Sequence, residues 1–157
     1  MYRKVLLAYD GSVEGRLALR EGARVAQICG SEVVLLAVID LSTGLAMEAA
    51  TAPVLEIQQK EYEEILAEGA RRLEALGFSP TARLEFGDPA QQISAVAREV
   101  GADLVVVGHR RQGALARWFL GSVGAHLINH LHCSLLVART EISDDQFAAM
   151  TSRHAVE

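Results

Sequence analysis

The sequence predicts one doubly wound α/β domain, an open five-stranded parallel sheet in the order 3-2-1-4-5 with four helices. Three observations carry this. Short apolar runs alternate with longer stretches of helical period, the pattern of successive βαβ units with right-handed crossovers. The runs Val33–Ile39 and Leu104–Val107 are apolar without alternation, as in strands covered on both faces. With 157 residues, half of them hydrophobic, the chain suits a single core. Residues 1–140 are expected to form the domain. Residues 141–157, where Phe147 and Met150 stand among polar neighbours, are expected to be a frayed tail or a short helix.

In order, Val5 to Tyr9 reads as strand one and stops at Asp10-Gly11-Ser12, a turn in which Ser12 is a helix N-cap. Helix one is predicted over about 13–29, with Leu17, Leu19, Ala23, Ala26 and Ile28 toward the core and Gly30 closing it. Strand two, Val33–Ile39, belongs in the middle of the sheet. Residues 40–53 have no firm period and leave two readings open, a flap over a ligand or an extension of the next helix. That helix, about 54–76, places Tyr62, Ile65, Leu66, Gly69, Leu73 and Leu76 at steps of three and four. Thr81–Phe86 alternates polar with apolar and reads as an edge strand. Asp88-Pro89 then starts helix three, with Asp88 as cap and Pro89 at the first helical position. Strand four ends at Gly108, a basic loop leads to Gly121-Ser122, helix four covers about 122–131, and Cys133–Ala138 is the last strand.

The strand order puts the topological switch point between strands one and four, where open sheets of this type bind ligands beyond the carboxyl ends of the strands. Two stretches far apart in sequence meet there. Asp10 offers an acceptor for ribose hydroxyls. Gly108, Gly113, Gly121 and Ser122 offer backbone and hydroxyl donors for phosphate, with the N-terminus of helix four behind them. The loop fits neither standard nucleotide motif. Ala114-Leu115 follow its second glycine where a P-loop has Lys-Ser/Thr, and the first turn, Asp-Gly-Ser, lacks the dinucleotide fingerprint. His109 is either a ligand contact or an exposed loop histidine. Asp40, at the end of strand two, either touches a ligand or caps a turn.

Several functions are disfavoured. A net charge of −5 argues against generic nucleic-acid binding. No apolar stretch approaches a membrane span, and the first residues pass straight into a strand with no leader-like apolar region. Cys29 and Cys133 lack metal or disulfide spacing and read as reduced, buried thiols of a cytoplasmic protein. His126, His130 and His132 are spaced like metal ligands, but no Cys or acidic residue completes a set, so packing or capping is the favoured reading. No nucleophile-and-base arrangement is evident, and no catalytic residue is nominated.

The chain resembles the universal stress protein family over about residues 3–139. The likeness rests on Ala8-Tyr9-Asp10-Gly11-Ser12, Ala37-Val38-Ile39-Asp40, Gly87-Asp88-Pro89, Ala102–Gly108, Leu120-Gly121-Ser122-Val123 and Cys133–Val137. The resemblance implies a Rossmann-like sheet of the adenine nucleotide alpha hydrolase type. It also implies contacts to adenosine from Ala8, Asp10 and Val38, with Tyr9 and Val107 beside them. Phosphate contacts are implied from Gly108, His109, Arg110, Arg111 and Gly113 and from the Gly121-Ser122-Val123 turn. The implied ligand is ATP or another adenine nucleotide, with or without Mg2+. The implied assembly is a homodimer through the last strand, whose Leu135, Leu136 and Val137 carry no charge, proline or bulge to protect an edge.

In the family's ATP-binding branch the phosphate motif is Gly-x-x-Gly, nine residues, then Gly-Ser/Thr. Gly108 and Gly121-Ser122 fill its first and last places, and Arg111 stands where the middle glycine would be. Its side chain either blocks backbone approach to phosphate or supplies charge-assisted bonds. Three readings therefore stand: a regulatory nucleotide-binding module of the stress response, a nucleotide-free dimeric interaction module, and a slow ATP hydrolase using Asp10 with a metal.

Overall fold

The structure, a computed structural model, describes residues 1–42, 51–108 and 122–138, with the backbone alone for 122–125. Strands β1 (Lys4–Ala8), β2 (Glu32–Asp40), β3 (Thr81–Gly87), β4 (Leu104–Gly108) and β5 (Ser134–Ala138) alternate with helices α1 (Val13–Cys29), α2 (Ala52–Ala75), α3 (Pro89–Val100) and α4 (Ser122–His130). The sheet is parallel throughout and its order is β3-β2-β1-β4-β5, as expected. Leu6 pairs with Val34 on one side and Val105 on the other, so the three apolar strands lie together at the centre.

The turn chemistry sets the helix starts. Ser12 Oγ accepts the Gly15 N–H at 3.0 Å to cap α1, and Asp88 Oδ1 accepts the Gln91 N–H at 2.9 Å to cap α3 ahead of Pro89. Gly30 and Gly101, both left-handed, end those helices. α1 and α2 cover one face of the sheet around Val5, Leu7, Leu35 and Val106. α3 and α4 cover the other around Leu6, Val34, Leu36 and Val105.

Three local expectations are corrected. Ile28 is exposed, because it lies nine residues beyond Leu19, half a turn out of phase with the buried line Leu19, Ala23 and Ala26 at about 3.6 residues per turn. Cys29 and Cys133 are free but only partly buried, since each sits where an element meets the amino-terminal rim of the sheet. β3 is an edge strand, but its wet and dry faces are not cleanly separated. Phe86, at its far end, is 39 % exposed, while Arg83 reaches Glu85 at 2.6 Å and Glu99 of α3 at 3.0 Å and is mostly covered. The stretch 43–50, the loop 109–121 and the tail from residue 139 lie outside the described residues, and with them the flap, the basic-loop and the tail expectations.

Candidate ligand cavity at the switch point

The turn leaving β1 is built as a chain of acceptors. Gly11 takes a φ of +75°, which reverses the backbone between Asp10 and Ser12. Asp10 Oδ1 accepts the Ser12 N–H at 2.9 Å and the Ser12 hydroxyl, and Ser12 Oγ in turn accepts from Gly15. This fixes the Asp10 carboxylate at the carboxyl edge of the sheet. A Cβ at Gly15 would lie 2.5 Å from Asp10 Oδ1, so a glycine is needed for the carboxylate to fold back over the helix start. β2 ends in a similar turn, with Asp40 Oδ1 accepting the Ser42 N–H at 2.8 Å.

Gly108 answers to packing as well. A Cβ there would lie 2.5 Å from the carbonyl oxygen of Glu14, which is backbone and cannot step aside. The end of β4 therefore abuts the first turn of α1. The two halves of the switch point are in direct contact.

Above this junction opens a cavity of about 390 Å³, within the usual size range of small-molecule sites. Of the residues expected from the sequence, Ala8, Tyr9, Asp10, Val38, Val107 and Gly108 line it. Ser122 and Val123 open α4, while His109, Arg110, Arg111, Gly113 and Gly121 lie outside the described residues. Asp40 both lines the cavity and closes its own turn.

Sequence reasoning missed Leu36, Glu14, Tyr62, Pro89 and Ile93, which also line the cavity. Leu36 was legible, because it stands two residues before Val38 on the same face of β2. Glu14 follows from the start of α1. Tyr62, Pro89 and Ile93 come from α2 and α3, and only the tertiary packing brings them to the cavity.

The lining combines apolar residues, Leu36, Val38, Ile93 and Val107, with the acidic residues Asp10, Glu14 and Asp40. No lysine or arginine is among the described lining residues. The start of α1 spends donors on Asp10 and Ser12, and the start of α3 spends one on Asp88. This part of the cavity is chemically suited to a flat apolar ring and to hydroxyl donors. The charge suited to an anion, Arg110 and Arg111, belongs to the loop that follows Gly108.

Tyr9 lines the cavity, and its hydroxyl donates to Glu68 on α2. Burial, and then the Glu68 carboxylate, push the Tyr9 phenol up to about 12. Burial alone would raise Glu68, but hydrogen bonds from Tyr9 and Arg72 outweigh it and hold the carboxyl below its ordinary value. Arg16 of α1 stands 3.8 Å from the same carboxylate.

The fold and cavity define a doubly wound α/β protein with a ligand pocket at its switch point. Residues 1–139 match the model of the universal stress protein family. A Staphylococcus epidermidis protein named for that family is 34% identical over 149 residues, covering 93% of this chain and 89% of its own. A universal stress protein solved in complex with cAMP superposes with a TM-score of 0.69 at 24% identity, over 89% of this chain and 99% of the other. Another, from Archaeoglobus fulgidus in complex with dAMP, gives a TM-score of 0.64 at 21% identity, over 88% and 98%. The chain belongs to the universal stress protein family.

Proposed function

We propose that the switch-point cavity binds ATP or a related adenine nucleotide, and that its occupancy is the signal of a regulatory module in the stress response of the cytoplasm. The observation that carries this reading is a cavity at the switch point lined by apolar residues together with Asp10, whose carboxylate is held by its own turn. The base takes the apolar part, and the ribose hydroxyls donate to Asp10. The phosphates are assigned to the loop that runs from Gly108 to Ser122 and Val123 and carries His109, Arg110, Arg111, Gly113 and Gly121 in its sequence, with Mg2+ accompanying a polyphosphate. Solved relatives that hold cAMP and dAMP support an adenine-type ligand. The module acts as a homodimer joined along β5, the outer strand of the sheet opposite β3, through Leu135, Leu136 and Val137.

Calorimetric titration with ATP, ADP and AMP, with and without Mg2+, tests the reading. Binding of at least one is expected. Asp10→Ala should weaken it by about tenfold or more, since a hydrogen bond to a charged group is worth roughly 1.5–3 kcal/mol. Gly121→Trp should abolish it. Silence of the wild-type protein with all three ligands would reject the proposal.

A second reading, a nucleotide-free interaction module, draws on one observation. Gly108 is required by its contact with Glu14 whether or not a phosphate is ever bound, so its presence is not by itself a sign of nucleotide binding. Under that reading Arg111→Gly creates binding that the wild type lacks.

A further inference from the structure

We propose that His126 and His130 form a two-imidazole chelate for a divalent transition cation on the outer side of α4, separate from the cavity. The two residues stand one helical turn apart, so their side chains share a face. Their rings are stacked, with centroids 4.0 Å apart and planes within 9° of parallel. His130 is exposed and His126 partly so, and solvent reaches the pair.

The hydrogen bonding of His130 fixes its ligand atom. Its Nδ1 lies 2.9 Å from the carbonyl oxygen of His126. A carbonyl can only accept, so Nδ1 carries the proton and Nε2 carries the lone pair. This is the arrangement of a metal-ligating histidine, whose second ring nitrogen is held by a carbonyl or carboxylate that sets tautomer and orientation.

A cation bound by two imidazoles at about 2.0–2.1 Å needs the two nitrogens on the order of 3 Å apart. Stacked rings aim their in-plane lone pairs side by side, so the cation is bound once the exposed side chains rotate out of the stack and turn both nitrogens to one point. His130 is also the last residue of α4, where the partial negative charge of the helix terminus favours a cation. Among the described residues no cluster of three or more His, Cys, Asp or Glu is placed to hold a metal. Water therefore fills the remaining positions, and the affinity order follows the intrinsic series, with Cu2+ ahead of Ni2+ and Zn2+.

The test is calorimetric titration of the full chain with Cu2+, Ni2+ and Zn2+ chlorides in the absence of nucleotide. Paramagnetic broadening of histidine resonances by Cu2+ locates the ion. One site is expected, with Cu2+ tightest and with His126 and His130 broadened first. Loss of an outer-shell partner alone costs about 10–100-fold in metal affinity, so His126→Ala and His130→Ala should each cost about tenfold or more. His132→Ala should leave binding unchanged. Thermal transitions of the variants that match the wild type exclude unfolding as the cause. The proposal is overturned if binding survives both substitutions, if only His132→Ala or Cys133→Ser removes it, or if no ion binds.

Discussion

The two faces of the sheet are each covered by a pair of helices, and the described residues meet the strands differently on each. On the α1/α2 face, glycines bring helix backbone down onto the strands. A Cβ at Gly22 would lie 2.2 Å from Leu7 Cδ2, and one at Gly69 would lie 2.7 Å from the Tyr9 ring. That face also holds a polar network, running from Tyr9 through Glu68 to Arg72. On the α3/α4 face, bulk does the filling. Ile93, Val96 and Leu127 are at most 2% exposed, and Ser94 Oγ, enclosed nearby on α3, has no hydrogen-bond partner among the described residues. The α1/α2 face should therefore tolerate no added atoms at these two glycines. The ligand cavity opens where they meet, with Tyr9 and Tyr62 from the first face and Val38, Ile93 and Val107 from the second.

The largest expected effect is on the bulk-packed face. Ile93→Ala removes a fully buried side chain and should cost about 2–5 kcal/mol in urea unfolding. The lower part of that range is expected, because the new void joins a cavity that already exists. The same substitution should weaken nucleotide binding by removing part of the apolar lining. A loss below about 1 kcal/mol, close to the roughly 0.5 kcal/mol of an ordinary surface substitution, would mean that the face collapses to fill the gap.

Gly69→Ala reverses the sign of the change in volume. Overpacking costs about 1–3 kcal/mol, and alanine returns about 0.8–1.0 kcal/mol through helix propensity. Tyr9 is 3% exposed and tied to Glu68, so its ring has little room to retreat. The net expectation is a loss of about 1–2 kcal/mol. Because Tyr9 lines the cavity, ligand affinity should fall with it. If Gly69→Ala raises stability instead, propensity outweighs contact and the contrast between the faces fails.

What was legible in the sequence follows the same division. Uninterrupted apolar runs at Val5–Ala8, Val33–Ile39 and Leu104–Val107 announced the central strands, and Ser12 and Asp88-Pro89 announced the starts of α1 and α3. All of these signals are local. Asp10 and Gly108 were placed at the cavity because strand order follows from topology rules, whereas Val38 was placed there only by the family resemblance. By contrast, Tyr62 and Ile93 reach the cavity only through helix packing, which leaves no mark on their neighbours in sequence. The need for glycine at 108 was legible as close backbone approach, but its nearest partner, the Glu14 carbonyl, was not. That contact joins the ends of two elements with most of the chain between them. Ile28 is apolar but falls about two and a half turns beyond Leu19, on the exposed side of α1.

The smallest expected effect reads the polar network through pH. The Tyr9 phenol is pushed from its ordinary value of 10.0 up to about 12. The stability it contributes is therefore present in full below pH 10 and is lost as pH rises through about 12. Glu68 supplies the acid limb. Its carboxyl is held below the ordinary 4.5, so its contribution is present above that value and is lost as pH falls through the lowered one. Tyr9→Phe keeps the ring and removes the hydroxyl. Near neutrality it should cost about 1 kcal/mol, less than the roughly 1.5–3 kcal/mol of a hydrogen bond to a charged group, because Arg72 and Arg16 still face the carboxylate. Its stability profile should flatten on both limbs. The alkaline fall between pH 10 and pH 12 should shrink, and the acid loss should shrink because Glu68 has one donor fewer holding it down. Urea unfolding of wild type and variant across both windows measures this. Parallel profiles would mean that the network is a surface pairing with no hold on the fold, leaving the glycine contacts alone to distinguish the α1/α2 face.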